Sequence, residues 1–532
     1  MHLRLRDGKP CRRMACRAFS KAKCSKCTII SHQALSGGFV MLELVVFICG
    51  AMVMALEMVG SRILAPHMGT SIIVWTSLIG IILGCLSLGY WLGGKLADRS
   101  PNRKTLAGII LLAALSIGLT AMVNGPLLAL LRKAMPDIYV GSIVATVLLF
   151  AAPSVLLGMV SPYAVRLRIS ELATSGALVG RLYAISTVGS IVGTFLSGFV
   201  LVAFLGSSTT LLVIAIILAL TAILAAPSFK VAGAAGAAFL ATLLMLSLSA
   251  RAGLDEAGLA DVDTRYNRIR VTTGHDAITG RPIRAMTTNP GGTQSAMFLD
   301  DTLELALRYT KFFDMGRHFV PHARQALMLG GGAYSYPRHL LAQDPDMKLD
   351  VVELDPGMTA LARRWFDLHD DPRLRIVHED ARTFLQRTEK KYDLAFVDVF
   401  NSHYAIPFHL ATLEAAQSLR ASLYDGGAAV INTISAIEGR PGQLLRAQLA
   451  TLRQAFAQVL VFPVREPYDG ETVQNHILVA LTTSEAPDLA SADPAMQAML
   501  DQRWTRHIPE DLPPLTDEYA PVDRYALGMV LR

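Results

Sequence analysis

The sequence predicts two parts with different folds: an N-terminal all-α transmembrane bundle, and a C-terminal α/β Rossmann-like domain preceded by a small β-rich subdomain. Long apolar stretches with few charges fill residues 39–250, and runs of this length are typical of membrane-spanning helices. Beyond residue 255, helices and strands alternate, which is typical of a mainly parallel sheet covered on both faces. A chain of 532 residues is also too long for a single core.

Composition divides the chain into four regions. They are a basic leader at 1–38, the transmembrane bundle at 39–250, the β-rich subdomain at 255–314 and a nucleoside-binding α/β domain at 315–532.

The leader contains Cys11, Cys16, Cys24 and Cys27. Four cysteines allow a zinc site, but only seven residues separate Cys16 from Cys24, fewer than usual zinc-ribbon spacings provide. A disordered cytoplasmic tail, or a start upstream of the native one, is the alternative. The following apolar segment is too long for a secretory signal.

Seven apolar segments have the length needed to cross the hydrocarbon layer. They cover residues 40–63, 71–94, 105–123, 139–163, 182–204, 208–226 and 231–249. We therefore expect an integral membrane protein, in the inner membrane if the source is bacterial.

Small residues four apart predict close helix contacts in this bundle. The glycine pairs begin at Gly80, Gly89 and Gly189. Glu43 and Glu57 lie 14 residues apart on one face of the first span. Carboxylates at this depth indicate either a path for a cation such as a polyamine, or pairing with an arginine.

Basic residues of the leader and of three connecting segments all fall on one side of a seven-span bundle, which the positive-inside rule makes cytoplasmic. Seven crossings would then place the C-terminal domain outside. We expect instead that the Ala- and Gly-rich segment at 231–249 lies at the interface or re-enters, so that the domain is cytoplasmic. Reporters fused after Pro227 and Arg251 would then indicate the same side.

Short apolar stretches predict the strands of the soluble half. Leu303, Leu307, Thr310 and Phe313 recur at helical spacing and predict a helix after the first three strands. The strands are predicted at 267–273, 281–288, 294–298, 326–329, 349–352, 374–377, 392–398, 428–434, 459–462 and 477–481.

The segment at 326–355 predicts a nucleotide site. A strand meets Gly330, Gly331 and Gly332, a helix follows, and the next strand ends on Glu353, 21 residues after the last glycine. Glycines let the backbone approach a ligand closely, and an acid at this distance accepts the hydroxyls of a ribose. A tight turn beside a solvated glutamate is the alternative.

Acidic residues also follow the next two predicted strands. Glu379 and Asp380 follow the third strand of the α/β domain, and Asp398 ends the fourth. Because ligands sit at the carboxyl ends of parallel strands, these acids are candidates for one crevice. A structural alternative for Asp380 and Asp398 is capping of the next helix.

Several motifs together resemble the spermidine synthases and their membrane-fused relatives. The resemblance implies the class I methyltransferase fold for the soluble half. It rests on TRYNRIRV, GGTQS, LMLGGGAYSYPRHLL, VVELDP, HEDAR, YDLAFVDVFN and the tail TDEYAPVDR.

The resemblance implies roles for individual residues. Gly330 and Gly332 would line the nucleoside pocket, Glu353 would hold the ribose, and Asp380 would meet the adenine amino group. Gln294 would act as the conserved glutamine of the donor site. In aminopropyl transfer an amine attacks the carbon beside a sulfonium, so Asp398 and Tyr309 would accept or relay the amine proton. His403 and His409 lie nearby in sequence and are either part of that relay or structural.

Two residues depart from the family pattern. Ala333 stands where the family has an acid after its glycines, and Asn401 replaces the second acid of Asp-x-x-Asp. By the resemblance, the first acid would bind the propylamine of the donor and the second would hold a diamine, so losing both counter-charges weakens recognition of two ammonium groups. A methyltransferase and a non-catalytic or transport-coupled protein therefore remain as alternatives to an aminopropyltransferase.

The implied co-substrate is decarboxylated S-adenosylmethionine, or S-adenosylmethionine itself. Neither the chemistry nor the sequence calls for a metal. The expected partners are a small amine acceptor and membrane lipid, with a homo-oligomer as one allowed assembly, and no nucleic acid is expected.

Overall fold

The computed structural model describes residues 21–68, 72–135, 137–168, 175–256, 259–288, 293–399, 407–466 and 468–529. Cys11, Cys16, Asn401 and His403 lie outside these residues, and so do the side chains of the other two leader cysteines. The predictions for them therefore stay predictions.

The N-terminal half is entirely helical. Among the described residues, seven helices are long and apolar enough to cross a membrane, and they correspond to the seven predicted segments. The helices are α1 Lys21–Met68, α2 Ile72–Arg99, α3 Arg103–Ala134, α4 Ile138–Gly158, α5 Val160–Arg168, α6 Ser175–Leu196, α7 Val202–Leu205, α8 Ser207–Ala225 and α9 Lys230–Glu256, with a π-helical turn at Ser197–Leu201 before α7.

Two of the three glycine pairs allow close helix contacts, as predicted. A Cβ atom on Gly89 would lie 2.3 Å from a backbone oxygen of α4, and one on Gly189 would lie 2.1 Å from a backbone oxygen of α1. The prediction is wrong for Gly80 and Gly84, because no protein atom lies within 4 Å of the place where their Cβ atoms would be.

Glu43 supports the structural alternative. Its two carboxylate oxygens each lie 3.0 Å from a guanidinium nitrogen of Arg181 on α6. Because this pair already neutralises the carboxylate, Glu43 does not offer a free charge to a passing cation.

Helix α9 is continuous and packs along α8 and α3. Gly233 lies against α8, and Leu240 lies against Gly118 of α3. Because α8 begins beside the soluble domain, where the Ser207 amide donates to Asp263, α9 carries the chain back to that same end. The expected re-entry of residues 231–249 is therefore wrong, and the two ends of α9 lie at opposite ends of the bundle.

Basic residues gather at the bundle end away from the soluble domain. The α2–α3 junction lies there, and Arg166 on α5 pairs with Asp98 on α2 at 2.9 Å. Lys230 begins α9 at the same end. The structure thus confirms that these residues share one end.

The soluble half begins with an antiparallel sheet in the order β1-β2-β3-β4. Its strands are β1 Ala260–Asp263, β2 Arg268–His275, β3 Pro282–Thr287 and β4 Ser295–Phe298. The predicted helix over 303–313 begins only at Arg308, because Leu305 forms an isolated β-bridge with Met297.

A seven-stranded sheet with helices on both faces follows. Its elements are α10 Arg308–Lys311, α11 Met315–Phe319, β5 Gln325–Leu329, α12 Ser335–Gln343, β6 Lys348–Val352, α13 Pro356–Trp365, β7 Leu374–Val377, α14 Ala381–Arg387, β8 Tyr392–Val397, α15 Leu413–Ala421, β9 Leu423–Ser435, α16 Gln443–Ala455, β10 Gln458–Pro463, β11 Gln474–Leu481, α17 Pro494–Leu500 and α18 Val522–Leu527.

The strand order is β10-β11-β9-β8-β5-β6-β7, and only β11 runs antiparallel to its neighbours. This order confirms the expected methyltransferase-like α/β fold. The order reverses direction at β5, which pairs with β6 on one side and β8 on the other. Such a reversal opens a crevice at the carboxyl ends of the strands, and it places the glycine loop beside Asp398.

Candidate active site

The glycine loop after β5 has two positions that require glycine. Gly330 has φ +89°, and a Cβ there would lie 2.1 Å from the carbonyl oxygen of Asp398. Gly332 has φ +54°, and a Cβ there would lie 2.6 Å from the Ser295 hydroxyl. Left-handed backbone and missing space both exclude a larger residue. The loop therefore packs directly against β8 and against the β-rich subdomain.

Glu353 ties the end of β6 to this loop. One carboxylate oxygen accepts the amides of Gly331 at 2.8 Å and Gly332 at 3.2 Å, and the other accepts the amide of Asp355 at 2.9 Å. Burial raises the pKa of Glu353, and these three hydrogen bonds act in the opposite direction. A carboxylate has about four acceptor sites, so it can also accept hydroxyl donors from a ligand.

Asp398 lies at the end of β8 with two hydrogen-bond donors. The Tyr309 hydroxyl donates to one carboxylate oxygen at 2.8 Å, and the Asn432 amide donates to the other at 2.9 Å. Burial raises the pKa of Asp398 and outweighs the lowering effect of these bonds. The pKa of Tyr309 is raised well above its usual value, by burial and then by the Asp398 charge. Tyr309 is therefore placed to donate its hydroxyl hydrogen to Asp398.

Asn432 was not predicted from the sequence. It lies on β9, and Asn475 of β11 donates to its amide oxygen at 2.9 Å. This contact turns the amino group of Asn432 toward Asp398. The available signal was a single amide inside the otherwise apolar stretch AAVINTI.

Asp380 has two partners at the start of α14. One oxygen caps the helix by accepting the Thr383 amide at 3.0 Å, and the other lies 3.0 Å from Nε2 of His409. Burial acts to raise the pKa of Asp380, but these contacts outweigh it and hold the pKa below its usual value. Asp380 therefore caps α14 and also lines the cavity, so its capping role does not exclude a ligand contact. His409 pairs with Asp380, not with Asp398.

One cavity of about 370 Å³ joins these residues. Its size is typical of small-molecule sites. All seven predicted site residues line it, and so does Asp523, which lies in the first turn of α18, the last helix of the described residues. The seven are Gln294, Tyr309, Gly330, Gly332, Glu353, Asp380 and Asp398.

Known proteins share the sequence of this region. Residues 309–467 match the family described as Spermine/spermidine synthase domain. This stretch holds most of the cavity lining, including Tyr309, the glycine loop, Glu353 and Asp398. The C-terminal half of the chain contains a spermine/spermidine synthase domain.

Several proteins similar to the chain are polyamine aminopropyltransferases, a class of transferases. The one from Vibrio vulnificus is 30% identical over 181 residues, which cover 34% of this chain and 58% of that protein. Polyamine aminopropyltransferase 1 of Streptomyces coelicolor is 23% identical over 432 residues, 76% of this chain and 77% of that protein. The second match is longer than the soluble half and so extends into the helical half.

A solved structure is also similar. The crystal structure of a probable spermidine synthase from Corynebacterium glutamicum is 25% identical and covers 40% of this chain and 77% of that chain, with a TM-score of 0.36.

Ala333 is the residue at which the family resemblance implies an acid. This side chain is fully buried in the apolar core, and its amide donates to the Ser295 hydroxyl at 3.0 Å. Ala333 does not line the cavity. Within the described residues, no group of three or more His, Cys, Asp or Glu side chains is placed to hold a metal ion.

Proposed function

We propose that the synthase domain transfers an aminopropyl group from decarboxylated S-adenosylmethionine to an amine. The observation that carries this proposal is the position of Asp398. It lies in the same cavity as Glu353 and the glycine loop, and two uncharged donors hold its carboxylate.

The donor would bind at the ends of β5, β6 and β7. Glu353 would accept a ribose hydroxyl at the acceptor site that the amides of Gly331, Gly332 and Asp355 leave open. Asp380 and His409 lie on the cavity wall formed by the next strand end, and Asp380 would accept from the adenine amino group. The sulfonium end would then point toward Asp398, because β8 lies on the other side of β5.

The transfer is a displacement in which the amine nitrogen forms a bond to the propyl carbon. The carbon–sulfur bond breaks, and sulfur keeps the electron pair as the thioether of methylthioadenosine. The attacking amine loses one proton, which the Asp398 carboxylate accepts. A raised pKa suits this role, since a base works best when its pKa approaches the working pH. The Tyr309 and Asn432 donors keep the carboxylate oriented.

Identification of the nucleoside product tests the proposal. The full-length protein is incubated with an amine and with either decarboxylated or intact S-adenosylmethionine. We expect methylthioadenosine from the decarboxylated donor, in amounts that depend on the amine. S-Adenosylhomocysteine from the intact donor would overturn the proposal in favour of a methyltransferase.

The proposed reaction also requires the synthase domain to be cytoplasmic, because S-adenosyl donors are made in the cytosol. The basic residues at the opposite end of the bundle favour the other orientation. Reporters fused after Pro227 and after Arg251 test which end of the bundle faces the cytoplasm, because α9 carries the chain from one end of the bundle to the other between these two fusion points. A cytoplasmic signal only at Arg251 supports the reaction. A cytoplasmic signal only at Pro227 contradicts it and favours the non-catalytic, transport-coupled alternative.

A further inference from the structure

By the family resemblance, this chain has Ala333 and Asn401 at two positions where an acid would be expected. A diamine acceptor has two ammonium groups before reaction. One must reach Asp398 to lose its proton, and the other needs a separate counter-charge. The single carboxylate of Asp398 cannot pair with both ammonium groups of the diamine.

Asp523 is a further carboxylate on the wall of this cavity. It lies in the first turn of α18, in the tail TDEYAPVDR that follows the α/β sheet. It is outside the matched domain, which ends at residue 467. The carboxylate therefore comes to the cavity from a part of the chain that the family match does not cover.

The transmembrane bundle holds this carboxylate at the cavity. The amide of Ile72, at the start of α2, donates to Asp523 at 3.4 Å. Arg62 at the end of α1 donates to the carbonyl oxygen of Tyr266 at 2.7 Å, and the next residue, Asn267, lines the same cavity. Helices α1 and α2 of the bundle therefore contact the chain at or beside two cavity-lining residues, Asn267 and Asp523.

The surroundings of Asp523 suit a cationic ligand. It is half-buried, and burial raises its pKa. Among the residues that the structure describes, no arginine or lysine forms an ion pair with it, and its one hydrogen bond comes from Ile72. A partly desolvated carboxylate with one weak donor gains from an incoming ammonium group, since charge-assisted hydrogen bonds are stronger than neutral ones.

We propose that Asp523 binds the ammonium group of the acceptor that does not react, so that the tail and the bundle together complete a diamine site. This inference rests on the proposed function, because it assumes that Asp398 receives the reacting amine. It assigns the substrate class as a diamine or longer polyamine, in preference to a monoamine.

Calorimetry on the full-length protein tests this without turnover. Putrescine is titrated into protein saturated with methylthioadenosine, and propylamine serves as the acceptor with a single amine. In Asp523→Asn we expect putrescine affinity to fall about tenfold or more, while propylamine affinity changes less than about twofold, given the usual strength of charged hydrogen bonds. Methylthioadenosine affinity should stay at the wild-type value, which also shows that the variant is folded.

Glu518→Gln is the matched control, because Glu518 is an exposed acid of the same tail that does not line the cavity. It should leave all three affinities unchanged. Unchanged putrescine affinity in Asp523→Asn, or an equal loss for propylamine, would overturn the inference. Because no product is measured, this result is separate from the product test: putrescine can bind through Asp523 even if no aminopropyl transfer occurs.

Discussion

The nucleoside side and the amine side of the cavity are built in different ways. On the nucleoside side, Gly330, Gly332 and Glu353 come from one β-α-β unit, and their hydrogen bonds connect residues of that unit. On the amine side, Asp398 depends on Tyr309 from α10 and Asn432 from β9. A local unit can keep its geometry while distant elements change, so substitutions in distant elements should affect the amine side more than the nucleoside side.

The largest expected effect is a loss of turnover when Asp398 on the amine side is substituted. Asp398→Asn keeps the shape of the residue and removes the base, so we expect turnover to fall by roughly 10²-fold or more. Methylthioadenosine affinity should change little, because Asp398 serves the acceptor. Steady-state rates and calorimetry measure the two quantities. Asp370→Asn, at an exposed surface acid, is the control, and full activity in Asp398→Asn would make Asp398 only structural.

On the nucleoside side, a substitution should change the affinity for methylthioadenosine. Glu353→Ala removes the acceptor of the ribose hydroxyls, and we expect methylthioadenosine binding to weaken by about 2 to 3 kcal/mol. Calorimetry on the folded variant measures this loss, with the exposed Glu389→Ala as its control. Because Glu353 also accepts the loop amides, Glu353→Gln should give part of the loss. Unchanged affinity in Glu353→Ala would remove this residue from the site.

A smaller, pH-dependent effect should follow from Asn432→Ala. The Asn432 hydrogen bond lowers the pKa of Asp398, so its removal should raise that pKa further. Asp398 is a base only when ionised, and so the acid limb of the pH–rate profile should move to higher pH. At alkaline pH the variant should approach the wild-type rate. A uniform loss at every pH would indicate misplacement of Asp398 and not a changed pKa.

The sequence predicted the features that depend on residues close together in the chain. The glycine loop and the acids at strand ends follow from residues near one another in the chain, and the structure places them as predicted. The strand limits agree less closely, because β1 was not predicted and β9 begins at Leu423, five residues before its predicted start. Asn432, Asn475 and Asp523 could not be predicted, because their roles depend on contacts between elements far apart in sequence.

Two local predictions were wrong for the same reason. The apolar spacing from Leu303 to Phe313 predicted a helix, but Leu305 forms a β-bridge with Met297 and the helix begins only at Arg308. The Ala- and Gly-rich segment at 231–249 forms a full helix because α8 and α3 accept its small residues at close range. In both cases tertiary contacts outweighed the local pattern.

The most direct test of the difference between the two sides is a single-turnover measurement at increasing donor concentration. Applied to Asp398→Asn and Glu353→Ala, it gives the apparent donor affinity and the limiting rate for each variant. We predict that Asp398→Asn loses rate and keeps affinity, whereas Glu353→Ala loses affinity and keeps most of the rate at saturation. Loss of both quantities to the same degree in both variants would contradict the division of the cavity into a nucleoside side and an amine side.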